Sequence, residues 1–261
     1  MRKQVLITAG TKNTGFVIAQ TMAEKGYDLH LTSRRLEDAQ QAAAKLSEMY
    51  PDIRAYGYKM ELSNVASIRE CFAQIRENTS FLDAFVANAA NLGIGLDIFN
   101  STEEDFDSVM DANLKGTFFC CQEAGKLMTE KGGSMVLVGS VQGKGTIEGR
   151  MLYGVSKAAI SALSKYLAFD LAPYGIRANC LVAGAIHTDR WDGVEDDTLA
   201  QRRQNYPIGR ESTMQEIANG VYYLASEQSA SVTGTELVID SGVLLSVLPY
   251  KDRKQFKREN Y

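Results

Sequence analysis

Proline, cysteine, histidine and tryptophan are all scarce in this chain: its 261 residues hold 4, 4, 2 and 1 of them. With so little proline and no Ser-rich stretch, nothing reads as a linker. The length suits a single α/β domain spanning 1–261. Cys71, Cys120, Cys121 and Cys180 match no metal-ligand spacing and fall in segments read as helix or strand. They read as buried reduced thiols, which suits a cytoplasmic protein, and no metal site is expected. Charge of one sign is lacking too. A net charge of −4 gives no electrostatic basis for binding nucleic acid. No apolar run approaches the ~20 residues that span a bilayer, so no membrane partner is expected. Met1-Arg2-Lys3-Gln4 leads straight into an apolar run, without a signal-peptide pattern. No internal repeat is visible.

What the chain does have is a succession of short apolar runs and amphipathic stretches. Runs at 5–8, 28–33 and 135–138 read as strands, while 16–25, 36–50, 106–128 and 153–171 carry helical periodicity. Such alternation predicts helices packed on a mostly parallel sheet.

One stretch organises the rest, Tyr153-Gly154-Val155-Ser156-Lys157. Helix positions four apart share a face, so Tyr153 and Lys157 project together. A phenol with a pKa of ~10 is a poor acid–base group near neutrality. A fixed ammonium beside it stabilises the phenolate. Lowering the pKa to near 7 takes roughly 3 units, or about 4 kcal/mol. Tyr and Lys at this spacing also occur on solvated helix faces, so the upstream sequence decides. The run Met135-Val136-Leu137-Val138 ends in Gly139-Ser140. A hydroxyl at the carboxyl end of such a strand points into the crevice where ligands bind.

Ser140 followed by Tyr-x-x-x-Lys resembles the short-chain dehydrogenase/reductase family, and the likeness extends over roughly 4–247. It implies a Rossmann-type doubly wound parallel sheet of about seven strands. It implies catalysis by Ser140, Tyr153 and Lys157, with Asn113 kinking its helix and holding a water linked to the lysine. It also implies a homo-oligomer, tetramer or dimer, joined through the helices around Asn113 and Tyr153.

The cofactor loop departs from the family's Thr-Gly-x-x-x-Gly-x-Gly. Here Ala9 and Asn13 stand at the first two glycine positions, and only Gly15 is kept. Asn tolerates left-handed backbone and Ala is small, so a working, modified loop is expected from Gly10, Thr11, Lys12, Asn13, Thr14 and Gly15. The second strand ends in Ser33-Arg34, with no acid for ribose hydroxyls. Arg34 with Lys12 favours a 2′-phosphate, hence NADP(H). By resemblance, Glu61 and Leu62 border the adenine, Asn88 and Ala89 end the fourth strand, and Gly184, Ile186 and Thr188 lie at the nicotinamide. Ala90 and Ala183 replace the family's Gly and Pro.

Residues 186–207 are read as a variable substrate lid, with an acidic cluster at Glu195-Asp196-Asp197, and 249–261 as a charged tail. Asn91, Gln142, Arg150 and Trp191 are the candidates for substrate contact. His187 is read as a loop residue, since a tyrosine already fills the acid role. The substrate is a carbonyl or secondary alcohol. The family offers carrier-linked 3-oxoacyl groups, sugars and polyols, steroids and antibiotic intermediates. Lys131 is a basic candidate for docking a carrier, whereas Tyr174 replaces another. From a different class, a non-catalytic NADP-sensing protein would explain the altered loops.

Overall fold

The computed structural model describes residues 2–245 apart from 192 and 195. The charged tail, Glu195 of the acidic cluster and the side chain of Arg202 lie outside the described residues.

The first half alternates strand and helix: β1 Gln4–Ile7, α1 Asn13–Glu24, β2 Asp28–Ser33, α2 Leu36–Met49, β3 Ala55–Lys59, α3 Val65–Asn78 and β4 Ala84–Ala87. Two helices, α4 Glu103–Met110 and α5 Gly116–Lys126, are joined by a π turn, Asp111–Lys115. There follow β5 Gly133–Ser140, α6 Met151–Leu171 and β6 Ile176–Ala183. The last part holds β7 Ile186–His187, α7 Asp196–Arg203, β8 Ser212–Thr213, α8 Met214–Ala225 and β9 Glu236–Ile239.

Seven strands form one sheet in the order β3-β2-β1-β4-β5-β6-β9, and every pairing in it is parallel. This is the Rossmann-type doubly wound sheet that the sequence predicts. Strand order reverses between β1 and β4, and a crevice opens at the carboxyl ends of the strands there. β7 and β8 form a separate small pair.

The strands read as unbroken apolar runs because both faces of the sheet are covered. Side chains alternate faces along each strand. Val5, Ile7, Leu29 and Val86 pack with Ile18 and Met22 of α1, Leu46 of α2 and Val221 of α8. Leu6, Phe85, Met135 and Leu137 pack on the other face with Phe72 of α3, Cys120 of α5 and Ile160 of α6. Burial pushes the thiols of Cys71 and Cys121 up to about 12. They are packing groups, with no thiolate to offer.

Helix limits differ from the sequence expectation at two informative places. α1 begins at Asn13 rather than at about 16, with Lys12 as its N-cap and no side-chain cap. The turn residues themselves form its first turn. The stretch 106–128 is not one helix, because the π turn divides it. Hydrophobic periodicity survives a single inserted residue, so the pattern alone conceals the break. Among the described residues, no helix is long and apolar enough to cross a membrane.

Candidate active site

Ser140 closes β5, and its Oγ accepts a hydrogen bond from the Gln142 backbone N–H at 3.2 Å. Tyr153 and Lys157 occupy the first two turns of α6, which packs along β5 and β6. Tyr153 is buried, with 9% of its surface exposed. The Lys157 ammonium lies 5.7 Å from the centre of the Tyr153 ring. It also donates to the Val138 carbonyl at 2.6 Å. An ammonium has three donors, so this bond leaves two for other partners. Burial pulls the Lys157 pKa down from 10.5 to about 8, opposed by the nearby Cys180 thiol. Desolvation dominates because the side chain is buried.

Asn113 sits inside the π turn and is buried. Its Oδ1 accepts from the Asn91 backbone N–H at 2.6 Å. Its Nδ2 donates to the Asn91 carbonyl at 2.8 Å and to Ser156 Oγ at 2.9 Å. Ser156 in turn donates to the Tyr153 carbonyl at 2.7 Å. One amide thus ties the loop after β4 to the first turn of α6. Ser156 was missed in the sequence because a serine within a helix has no distinguishing pattern.

At the other end of the crevice, the loop 9–15 keeps the backbone of a glycine loop. Ala9 has φ 50° and Asn13 φ 48°. A Cβ on Gly15 would lie 2.1 Å from the Ala9 carbonyl oxygen, so only glycine fits there. Asn88 braces the loop: its Nδ2 donates to the Thr8 and Ala9 carbonyls at 3.2 and 3.4 Å. The Asn88 and Ala89 backbone N–H groups both donate to Thr8 Oγ1. A cavity of about 770 Å³ opens beside the loop, lined by Thr11, Lys12, Ser33, Arg34, Leu62 and Ala89 among others. Glu61 also borders it, and its carboxylate accepts from Ser63, closing its own turn. Arg35 pairs with Glu37 and Asp38, whereas Lys12 and Arg34 have no ion-pair partner among the described residues.

The matching family model is described as enoyl-(acyl carrier protein) reductase, and it covers residues 9–244. The chain belongs to the short-chain dehydrogenase/reductase family. It is 31% identical over 242 residues to a 3alpha-hydroxysteroid dehydrogenase of Mediterraneibacter gnavus, covering 91% of this chain and 95% of that one. It is 30% identical to a 3-oxoacyl-[acyl-carrier-protein] reductase of Rattus norvegicus, covering 94% and 100% of the two. A solved structure from Sinorhizobium meliloti, described as a short-chain alcohol dehydrogenase, superposes with a TM-score of 0.86 at 27% identity, covering 94% and 97%. This short-chain dehydrogenase/reductase is therefore an oxidoreductase.

The residues present fit a nicotinamide dinucleotide. Thr188 Oγ1 is buried and has no hydrogen-bond partner among the described residues, at the position expected beside the nicotinamide. An orphaned buried hydroxyl is costly unless a ligand completes it. Gly184 passes so close to Asp240 that a Cβ would lie 2.6 Å from its Cα. Thr14 lies in the first turn of α1, and Ile186 opens β7.

Three of the four substrate candidates in this dehydrogenase/reductase are engaged elsewhere. Arg150 Nη1 donates to the Leu92 carbonyl at 3.0 Å. The Asn91 side chain donates to Ser108 Oγ at 3.0 Å. Trp191 Nε1 donates to the Ile186 carbonyl at 3.0 Å. Gln142 differs, since its Oε1 is buried without a partner. Lys131 lies just before β5, over the Phe81 ring. That is the opposite edge of the sheet from Ser140, roughly 25 Å away for a strand of this length. It does not flank the crevice. His187 is exposed in β7.

Proposed function

We propose that this oxidoreductase interconverts a carbonyl and a secondary alcohol with NADP(H), using Tyr153 as the acid and base. The observation that carries this is the Lys157 ammonium, buried and 5.7 Å from the Tyr153 ring, on the turn after it in α6. The cofactor, when bound, supplies or accepts the hydride. Ser140 and Tyr153 hold the substrate oxygen by their hydroxyls. In reduction Tyr153 gives its proton to that oxygen, and in oxidation it takes the proton back. Such acid–base assistance is commonly worth ~10²–10⁴-fold. Lys157 brings the charge that favours the phenolate and keeps donors for a ribose. Asn113, through Ser156, fixes the first turn of α6 and so the position of the phenol.

NADP(H) is favoured over NAD(H) because Lys12 and Arg34 line the cavity and form no ion pair among the described residues. Two such cations suit a 2′-phosphate. For the substrate, the names of relatives support a 3-oxoacyl group or a steroid. Carrier docking draws no support from Lys131. A stripe of exposed apolar side chains, Val155, Tyr166 and Phe169 on α6 with Phe118 on α5, supports assembly with further copies of the chain.

Tyr153→Phe tests the reading. NADPH consumption with a panel of ketones should fall at least ~100-fold while NADPH binding stays within about twofold. Retained turnover would remove Tyr153 from the chemistry. No turnover by the unaltered protein on any carbonyl or alcohol, with NADPH still bound, would favour the sensing role.

A further inference from the structure

Asn13 and Asp189 are far apart in sequence and meet at the edge of the cofactor crevice. Asn13 is the first residue of α1 and holds the left-handed backbone of the glycine it replaces. Asp189 follows Thr188 and opens a short 3-10 turn, Asp189–Trp191, at the start of the lid. A carboxylate only accepts, so the Asn13 amide nitrogen faces it and donates to both oxygens, at 3.0 and 3.2 Å. A glycine at this position could make no such contact. The turn is itself pinned, since Trp191 Nε1 donates to the Ile186 carbonyl.

The electrostatics of α1 give the contact a consequence. The helix has no acidic residue in its first turn, and Lys12 caps it with no side chain. Its N-terminal N–H groups and dipole therefore favour an anion from elsewhere. The Asn13 amide holds the Asp189 carboxylate beside that helix end. A dinucleotide diphosphate needs the same helix end, and two anions held close together repel.

We propose that Asn13 and Asp189 form a clasp that holds residues 186–191 against the cofactor loop, with the carboxylate kept where it repels the cofactor's diphosphate until the clasp opens. The proposal rests on the cofactor reading above. Asn13 is then an affinity-setting residue. It holds the competitor in place and lowers apparent cofactor affinity by the fraction of molecules in which the clasp is closed.

Two measurements on the full chain test it. The first is hydrogen exchange without cofactor. Asn13→Gly and Asp189→Asn should each speed exchange of the backbone amides at 186–191 by about tenfold, the loss of one charge-assisted hydrogen bond. Unchanged exchange in both would overturn the clasp. The second is NADPH binding, followed by quenching of protein fluorescence. Each variant should bind roughly 3–10-fold tighter, and the double variant no tighter than the better single one, because both remove one contact. Weaker binding by Asp189→Asn would show that the carboxylate assists the cofactor, and would overturn the competition. If the unaltered protein binds no NADPH, the cofactor reading fails and the competition with it. The exchange measurement, made without cofactor, still judges the clasp.

Discussion

The loop at 9–15 keeps a glycine-loop backbone with altered residues, whereas the proposed catalytic corner keeps the family's residues at Ser140, Tyr153 and Lys157. At 9–15 two of the three glycines of the family pattern are gone, yet Ala9 and Asn13 both hold positive φ. Ser241 does the same at 56°. A diphosphate is bound by backbone N–H groups, so side chains there are tolerated if the path of the chain survives. In the proposed mechanism the side chains of Ser140, Tyr153 and Lys157 are the chemistry, and no other residue type supplies the same proton and charge. The difference is between a site built of main chain and a site built of functional groups.

The largest expected effect asks how far that tolerance extends. Gly15 lacks the latitude of Ala9 and Asn13, because its missing Cβ is filled by the Ala9 carbonyl oxygen, 2.1 Å from where a Cβ would stand, and by Asn88 Nδ2 at 2.8 Å. Gly15→Ala should cost about 2–3 kcal/mol of stability from overpacking. It should weaken NADPH binding by ~100-fold as the loop moves off its path. Thermal unfolding and a binding titration measure the two. If Gly15→Ala binds as the unaltered chain does, the loop tolerates all three replacements and the contrast drawn above breaks down.

The catalytic corner predicts a smaller, graded effect with pH. Lys157 has its pKa depressed to about 8 by burial. The ammonium is the form that favours the phenolate, and it is populated below that pH. Activity should therefore fall as pH rises through about 8, by about tenfold per unit once the lysine is neutral. The free protein's groups are reported by kcat/KM, so that is the quantity to follow. A profile flat to pH 10 would show that the charge of Lys157 is not what the corner uses.

The same contrast explains what could be read in advance. Strand β2 has the limits expected at 28–33 because five of its six residues are buried and no partner alters the pattern. The meeting of Tyr153 and Lys157 is legible because helix positions four apart share a face. Ala9 leaves no mark in the sequence, since alanine nowhere advertises a positive φ. Asn113 is legible as an odd helix residue, but its π turn and its bond to Ser156 are tertiary facts. The bond from Lys157 to Val138 is hidden for another reason: any residue could supply that carbonyl. The contact between Asn13 and Asp189 joins residues far apart in the sequence, which local pattern does not encode.

The smallest effect tests the backbone side of the comparison directly. Ala9 at φ 50° is in the region where a Cβ crowds the following carbonyl. That costs roughly 1–2 kcal/mol, while glycine would loosen the unfolded chain by about 0.4–1 kcal/mol. Relief of strain outweighs the added entropy, so Ala9→Gly should raise stability by about 0.5–1 kcal/mol in urea unfolding, with an unchanged slope. Cofactor affinity should stay within about twofold, because the backbone is already on the glycine path. A loss of stability would mean that Ala9 makes packing contacts worth more than its strain, and that its methyl group, rather than the chain path alone, is part of the loop.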